Sequence, residues 1–316
     1  MRAVQIRSPG EVDVVEIPTP EPGAGEILFK LEGCVTCPHW DITLYTGVDI
    51  FERPGYPRYP ISPGRPGHEA SGVVEAVGEG VDLEVGDRVA SLVTPGEDEV
   101  GYYCEYLNRP LDTVTPIPDD VSYEAAASME MSRYVTAYVR ALGDISGKRV
   151  GVVGQGPAGL IATQVTRALG ASEVVSVDVI SDRLDLARKL GATQTIDGSS
   201  EYELHKLEGS PFDCSIDCSG AGSGLQIALD YTRGPVSIFG VVHGNAIFST
   251  SHWSSGVYVV KRPQIVEEDT ELVLGLWEEE KLDTEALVTE TLPFDKYAQG
   301  IESLMEKRAI KIFFHP

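Results

Sequence analysis

Four side chains of types that bind zinc come from three separate segments in the first half of the sequence. Cys37 follows the apolar stretch EILFKLEG, His68 and Glu69 precede the stretch ASGVVEAVG, and Glu130 falls within AAASMEMSRYV. A thiolate, an imidazole and a carboxylate are usual protein ligands of zinc, and three such ligands leave a fourth position open for water or substrate. The combination therefore predicts an open, catalytic zinc site.

Other interpretations of these residues are weaker. Cys34-Val-Thr-Cys37 has the spacing of a thioredoxin-type redox pair, but such a pair begins a helix in a small α/β domain, whereas this one follows a strand-like stretch. His68 taken alone would be interpreted as a hydrogen-bonded core histidine. Its combination with Cys37, Glu69 and Glu130 favours metal binding.

A second motif joins the apolar stretch RVGVV to the helical pattern PAGLIATQVTRALG. It reads Gly154-Gln-Gly156-Pro157-Ala158-Gly159, which has the dinucleotide-binding spacing GxGxxG in a strand, turn and helix context. Gly154 permits a tight turn, Gly156 lets the backbone approach a pyrophosphate, and Gly159 allows the helix to pack closely on the strand. Pro157 and Ala158 begin the helix, whose N-terminus attracts the anion.

The identity of the dinucleotide is indicated by Asp178, which ends the next strand-like stretch, EVVSVD. A carboxylate at this place accepts hydrogen bonds from the adenosine ribose hydroxyls and repels a 2′-phosphate, so the sequence predicts NAD rather than NADP. Arg183 lies five residues further on. It is a candidate for contacting the same ribose edge, with a solvated cation on a helix face as the alternative.

Two different kinds of structure must position these residues. The N-terminal part of the chain consists of short β-rich pieces separated by Gly and Pro, namely MRAVQIR, VDVVEI, EILFKLEG, ASGVVEAVG and DRVASLV. From about Ser122, helical and strand patterns alternate, beginning with a helix through YEAAASMEMSRYVTAYVRAL. This alternation predicts a doubly wound parallel sheet with helices on both faces. Near the C-terminus, an amphipathic helix and a short apolar strand are expected.

Composition excludes several classes of function. The 316 residues include 49 acidic and 25 basic side chains, a formal charge of −24, which disfavours nucleic acid and anionic membranes as partners. No apolar run approaches the roughly 20 residues that cross a bilayer, and MRAVQIRSPG lacks a signal-peptide core. Five cysteines in a long chain argue against a disulfide framework. We therefore expect a cytoplasmic protein.

The order EILFKLEGCVTC, GHEASGVVEAVG, GDRV, GQGPAG, VVSVD and KLGATQTI resembles the zinc-dependent medium-chain dehydrogenase/reductase family over nearly the whole chain. The resemblance implies an α/β fold, with a chaperonin-10-like β-barrel catalytic domain over residues 1–121, completed by 285–316, and a Rossmann NAD-binding domain over 122–284. It implies one catalytic zinc on Cys37, His68 and Glu130, with Glu69 as a ligand or near neighbour. The implied reaction moves a hydride between a small alcohol, polyol or sugar and NAD.

The sequence departs from the family pattern in two places. The family's structural zinc needs four closely spaced cysteines after GDRV, but ASLVTPGEDEVGYYCEYLNRP contains only Cys104, so this second zinc is predicted to be absent. The family places a hydroxyl and an acidic residue two and three positions after the ligand cysteine, whereas this loop is one residue longer. His39 and Thr43 are therefore the candidates for the proton relay, and Asp41 is the candidate carboxylate that orients a ligand.

Two other functions are compatible with parts of the sequence. One is a zinc-free reductase of the same superfamily that acts on quinones or enones with NADPH, against which Asp178, Cys37 and the GHE segment argue. The other is a non-catalytic NAD-binding protein. The partner expected is a small-molecule alcohol or carbonyl substrate. We also expect a homodimer or homotetramer, because the apolar region Val257–Val260 can pair across a dimer as in the resembled family.

Overall fold

The computed structural model describes residues 1–316, which divide into two compact units. The first unit comprises Met1–Glu130 and Thr284–Pro316, and the second comprises Met131–Asp283. None of the helices is long and apolar enough to cross a membrane.

Strands dominate the first unit up to residue 130. Its elements are β1 (Arg2–Ser8), β2 (Glu11–Glu16), β3 (Glu26–Val35), α1 (Pro38–Thr46), β4 (Glu69–Val77), β5 (Arg88–Ser91), β6 (Tyr106–Pro110), β7 (Val114–Pro116) and α2 (Tyr123–Ala126), with a 3₁₀ turn at Leu111–Thr113. α3 (Met129–Arg140) then continues into the second unit.

Strands and helices alternate in the second unit. Its elements are β8 (Arg149–Val153), α4 (Pro157–Ala168), β9 (Glu173–Asp178), α5 (Ser181–Lys189), β10 (Gln194–Asp197), α6 (Glu201–Glu208), β11 (Cys214–Asp217), α7 (Gly222–Asp230), β12 (Pro235–Ile238), α8 (Thr250–Ser254), β13 (Tyr258–Val259) and α9 (Glu267–Glu278). All six strands are parallel, in the order β10-β9-β8-β11-β12-β13, as in a doubly wound dinucleotide-binding sheet.

The C-terminal segment returns to the first unit. It contains β14 (Val288–Pro293), α10 (Tyr297–Met305) and β15 (Lys311–His315), with 3₁₀ turns at Glu285–Leu287 and Phe294–Lys296. The main sheet of this unit runs β14-β15-β3-β4-β5-β7, and β6 also pairs with β3. The core beneath it includes Phe29, Tyr103, Phe294, Tyr297 and Phe314, so the last residues of the chain complete the first unit.

Antiparallel pairing brings the two metal-site segments together. Strand β3 pairs with β4 so that Val35, two residues before Cys37, lies opposite Glu69. On its other side β3 pairs with β15, where Phe313 lies opposite Val35. The end of β3, the start of β4 and the start of β15 therefore meet at one edge of the sheet.

Some elements differ from the sequence-based expectation. The single helix expected through residues 123–142 is divided into α2 and α3, and the segment after Cys37, expected to be a loop, is helix α1. β10 and α6 were not anticipated. The first unit also includes residues 122–130, which were expected in the Rossmann domain, because α2 packs against β3 and β4.

Candidate metal centre and dinucleotide site

Cys37 lies between the end of β3 and the start of α1, where it is the N-cap residue and Pro38 is the first helical residue. Proline suits this position because its missing N–H would have no partner in the helix. The backbone N–H of Cys37 donates to Oδ2 of Asp41 at 2.7 Å. This hydrogen bond across the first turn of α1 fixes the backbone that carries the Cys37 thiol.

His68 immediately precedes β4 and is buried. Its Nδ1 lies 2.8 Å from the carbonyl oxygen of Pro66, which can only accept a hydrogen bond, so Nδ1 carries the proton and Nε2 keeps a lone pair. Burial lowers the pKa of His68 to about 4, so the ring is neutral near pH 7. Nε2 is thereby prepared to bind a metal.

Glu69 is completely buried, at 0% exposure. Oε2 accepts a hydrogen bond from the Lys311 ammonium at 2.5 Å, while Oε1 has no hydrogen-bond partner and lies 3.8 Å from Nε2 of His68. Burial raises the pKa of this carboxyl and the charge of Lys311 opposes the increase. A buried carboxylate oxygen without a partner is costly unless a cation approaches it.

The ligand atoms of Cys37, His68 and Glu69 all lie within 4.8 Å of one another. Zinc bonds of about 2.0–2.3 Å separate tetrahedral ligand atoms by roughly 3.5 Å, so the group is close to the size that zinc requires. Loss of hydration raises the pKa of the Cys37 thiol, and the charge of Glu69 adds to this. A cation bound among the three side chains would favour the ionised thiolate and so oppose both causes of the raised pKa. The donor set therefore fits zinc.

Glu130, the other expected ligand, is the second residue of α3 and is buried. Its Oε1 accepts a hydrogen bond from the hydroxyl of Thr94 at 3.3 Å. The group of mutually close ligand atoms is formed by Cys37, His68 and Glu69, the last of which the sequence analysis gave as a ligand or near neighbour.

The three candidates for proton transfer and ligand orientation lie on α1. Asp41 is buried and, besides Cys37 N–H, accepts the hydroxyls of Tyr103 at 2.8 Å and Tyr297 at 2.7 Å through Oδ1. Thr43 is completely buried and its hydroxyl has no hydrogen-bond partner. His39 is exposed at the surface. Asp41 thus contacts the backbone of Cys37, and the other two residues lie one helical turn apart.

Cys104 is the single cysteine of the lobe, residues 90–110, that follows GDRV. Its buried sulfur lies 3.2 Å from each of the carbonyl oxygens of Gly101 and Tyr106, and its single S–H can donate to either of them. Arg65 binds the carbonyl oxygens of Pro95 and Gly96 in the same lobe, both at 2.6 Å. Protein hydrogen bonds therefore hold this lobe.

The glycine loop has a separate steric role for each glycine. Gly154 adopts a φ of +86°, which favours glycine. A Cβ on Gly159 would overlap the carbonyl oxygen of Gly154, whereas a Cβ on Gly156 would meet no protein atom within 4 Å. Pro157 and Ala158 form the first turn of α4, after Gly156 as N-cap. The space at Gly156 beside a helix N-terminus fits a pyrophosphate.

Asp178 ends β9 and lies beside this loop. Its Oδ2 accepts the backbone N–H of Gln155 at 2.5 Å, and its Oδ1 accepts that of Ile180 at 2.9 Å. The carboxylate is half-buried, so it can also face a ribose. Arg183 is half-buried on the first turns of α5, five residues further along the chain.

Sequence reasoning did not identify Lys311, Tyr103 or Tyr297 as parts of the metal site. The two tyrosines lie in stretches that read as ordinary core. Lys311 did carry a signal, because it is a cation at the start of the apolar strand KIFFH, and a lysine in a buried strand requires a partner.

Comparisons with known proteins agree with this organisation. Residues 23–119 match the family model "Alcohol dehydrogenase GroES-like domain", and residues 157–266 match "Zinc-binding dehydrogenase". The chain is 28% identical to L-threonine 3-dehydrogenase of Idiomarina loihiensis, covering 96% of this chain and 95% of that protein. It is 25% identical to sorbitol dehydrogenase of Bombyx mori, covering 99% and 98% of the two chains.

Solved structures share the fold. Alcohol dehydrogenase TADH of Thermus sp. ATN1 is similar with a TM-score of 0.85 and 25% identity, covering 100% of this chain and 99% of that one. Galactitol-1-phosphate dehydrogenase of Escherichia coli gives a TM-score of 0.86 at 24% identity, covering both chains completely. The predicted fold class, a chaperonin-10-like domain with a Rossmann domain, is confirmed. The chain therefore belongs to the zinc-dependent medium-chain alcohol dehydrogenase family and is an oxidoreductase.

Proposed function

We propose that this chain is a dehydrogenase that uses one catalytic zinc and NAD to interconvert a small secondary alcohol or polyol and its carbonyl compound. The observation that carries the proposal is the orphaned Oε1 of Glu69, which faces Nε2 of His68 with the Cys37 thiol within 4.8 Å. A thiol, a neutral imidazole and a carboxylate are common ligands of zinc in proteins.

Cys37, His68 and Glu69 would hold the metal and leave its fourth position open, and Glu130 is the alternative carboxylate ligand. Bound zinc supplies Lewis acidity, which lowers the pKa of an alcohol at the site. The protein's own contribution is to fix the ligands, since Asp41 holds the backbone of Cys37 and the carbonyl oxygen of Pro66 fixes the proton on His68.

The proton of the alcohol would leave by way of Thr43 and His39. Thr43 has a buried hydroxyl without a partner, and His39 is exposed four residues earlier on the same helix, so the two lie on one face of α1. We expect Thr43→Val and His39→Gln to lower kcat and to change its pH profile. Unchanged pH profiles in both variants would exclude this route.

The nucleotide would be NAD, because the Asp178 carboxylate lies at the end of β9 where a 2′-phosphate would meet a negative charge. Asp178→Asn removes the charge and keeps one of the two oxygens that accept loop N–H groups, so the ratio of kcat/KM with NAD to that with NADP reports the effect of the charge. The variant should lower kcat/KM with NAD and raise it with NADP. An unaltered ratio of the two values would argue against this role of Asp178.

The substrate would be a small, polar secondary alcohol with a neighbouring polar group. Support comes from the printed names of two relatives, a threonine dehydrogenase and a sorbitol dehydrogenase, since threonine and sorbitol share that arrangement. A panel of polyols, hydroxyamino acids and simple primary alcohols with NAD would test it. Faster turnover of simple primary alcohols than of the other two groups would contradict the proposed class.

Self-association through β13 is proposed as well. This edge strand pairs only with β12, and the surface around it exposes large apolar side chains: Ile247, Phe248, Trp253, Tyr258 and Val259. Pairing of two copies at β13 would give a homodimer, and two such dimers a homotetramer. Light scattering of the purified protein should show a dimer or tetramer, and Val259→Pro should shift it towards monomer. A monomeric wild-type protein would contradict the proposal.

The principal experiment combines metal analysis with turnover. The purified protein should contain one zinc per chain, and Cys37→Ser and His68→Ala should lose both zinc and alcohol-dependent NAD reduction. Cys104→Ser is the matched control, because Cys104 is a buried thiol in the same unit that binds only backbone carbonyls. Full activity of a protein freed of metal by dialysis would refute the proposed function.

A further inference from the structure

Lys311 begins β15 and is completely buried, at 0% exposure. Its ammonium donates to the backbone carbonyl oxygen of Thr36 at 3.0 Å and to Oε2 of Glu69 at 2.5 Å. Removing a charged ammonium from water is expensive unless it gains well-placed partners. Because burying this ammonium costs free energy, its presence indicates that a positive charge has a role beside Glu69.

The two partners of Lys311 belong to the two segments that carry the metal ligands. Thr36 directly precedes Cys37, and Glu69 directly follows His68. One ammonium group therefore connects both segments.

The position of Lys311 is set by the backbone of β15. The N–H of Ile312 donates to Oγ1 of Thr36 at 3.0 Å, and the N–H of Thr36 donates to the carbonyl oxygen of Ile312, also at 3.0 Å. Phe314 lies opposite Cys34 in the sheet. Because strand pairing holds Thr36 and Ile312 together, the ammonium has little freedom to leave Glu69.

Charge gives the lysine a second role. A thiolate from Cys37 and the carboxylate of Glu69 would place two negative charges close together in a buried site. A fixed ammonium offsets their mutual repulsion where water does not screen it. It also occupies Oε2 of Glu69, which leaves Oε1 turned towards His68.

We propose that Lys311 is a positioning residue of the metal centre: it orients Glu69 as a ligand and offsets the negative charge that the Cys37 thiolate and the Glu69 carboxylate bring together. The inference rests on the proposed function and extends it, since it assigns control of the metal's ligand set to the C-terminal strand. It predicts that zinc affinity depends on residue 311 through Glu69.

The test uses the full-length protein and measures zinc affinity by competition with a chelator, together with the visible absorption spectrum of the cobalt-substituted protein, which reports the ligand set. Lys311→Met should weaken zinc binding by about 10- to 100-fold, as is usual for residues that orient a ligand, and should change the cobalt spectrum. Lys311→Arg should retain most of the affinity. Lys30→Met is the matched control, a lysine of the adjacent strand β3.

A double-mutant cycle separates action through Glu69 from general destabilisation. Glu69→Gln combined with Lys311→Met removes both buried charges together, so this variant should fold even where Lys311→Met alone does not. The double variant should bind zinc as Glu69→Gln does, because Lys311 has nothing left to orient. Independent losses from the two changes, or Lys311→Met with wild-type affinity and cobalt spectrum, would overturn the proposal. A wild-type protein that binds no zinc would instead refute the proposed function itself.

Discussion

Asp41 is the residue on which three donors of the metal-site region converge. Its carboxylate accepts the N–H of Cys37 and the hydroxyls of Tyr103 and Tyr297, and it is almost wholly buried. An asparagine has only one acceptor oxygen, so its amide N–H₂ would face a donor. Asp41 therefore joins the backbone at Cys37 to Tyr103, which precedes β6, and to Tyr297, the first residue of α10.

We therefore expect Asp41→Asn to lower the free energy of unfolding by about 1–3 kcal/mol and to weaken zinc retention. Tyr103→Phe, which removes a single donor, should have a smaller effect on both. Urea unfolding and chelator competition provide the measurements. A variant with asparagine at position 41 that is as stable as wild type would show that these hydrogen bonds contribute little.

Asp217, in the second unit, gives a prediction on pH. It ends β11, is completely buried, and has one oxygen, Oδ2, without a hydrogen-bond partner. Burial raises its pKa from 3.8 to about 6, although Ser219 opposes the increase. Because the native state then holds the proton more tightly than the unfolded chain, this carboxyl stabilises the fold at low pH, and the contribution is lost as pH rises through 6.

Asp217→Asn removes this pH dependence. The stability of the variant relative to wild type should therefore improve by about 1.4 kcal/mol between pH 5 and pH 8. Urea unfolding at the two pH values tests this, with Asp182→Asn, an exposed change on α5, as control. A relative stability that stays constant or falls as pH rises would contradict the assignment.

For single residues, the sequence indicates the chemical type of the site residues better than it indicates their neighbours in three dimensions. Cys37, His68 and Glu69 could be predicted as metal-site residues because their side-chain chemistry is distinctive. That Cys37 lies beside His68 and Glu69 depends on the register of β3 against β4, which residue types do not specify. Lys311 belongs to the site only because β15 pairs with β3, more than 270 residues after Thr36 in sequence.

Among the elements, the turn between β8 and α4 offers a matched pair of substitutions. An added methyl group at Gly159 overlaps the carbonyl oxygen of Gly154, whereas at Gly156 it enters open space. Gly159→Ala should therefore destabilise the protein by about 2–3 kcal/mol. Gly156→Ala should leave the thermal midpoint nearly unchanged but weaken NAD binding by about tenfold or more, because the methyl group occupies the space for the pyrophosphate.

Thermal unfolding and calorimetric titration with NAD distinguish the two effects. Equal loss of stability in both variants would mean that Gly156, too, serves packing. Unaltered NAD affinity in Gly156→Ala would show that the pyrophosphate does not approach this point of the loop.

Elements marked by apolar runs or by a characteristic glycine spacing could be predicted from the sequence, whereas short or polar elements could not. The strand β8, the turn and α4 were recognised from apolar runs and glycine spacing. β10 was missed because it has four residues, of which only Ile196 is buried. α1 was missed because the Gly and Pro residues around it suggested a loop, although Pro38 stands at the helix start.

Across the whole molecule, the formal charge of −24 implies mutual repulsion among surface carboxylates. Raising the ionic strength from about 0.01 M to about 0.15 M shortens the Debye length from about 30 Å to about 8 Å. The thermal midpoint should therefore rise over this range, by a similar amount with sodium and potassium chloride. A midpoint that falls with salt would indicate that surface ion pairs outweigh the repulsion.

Anomalous diffraction tests whether Cys37, His68 and Glu69 share one zinc ion, with data recorded from crystals of the purified protein above and below the zinc absorption edge. We expect one strong peak per chain, within bonding distance of Cys37 Sγ, His68 Nε2 and a carboxylate oxygen. A zinc peak elsewhere in the chain, or none among these side chains in zinc-replete crystals, would contradict it.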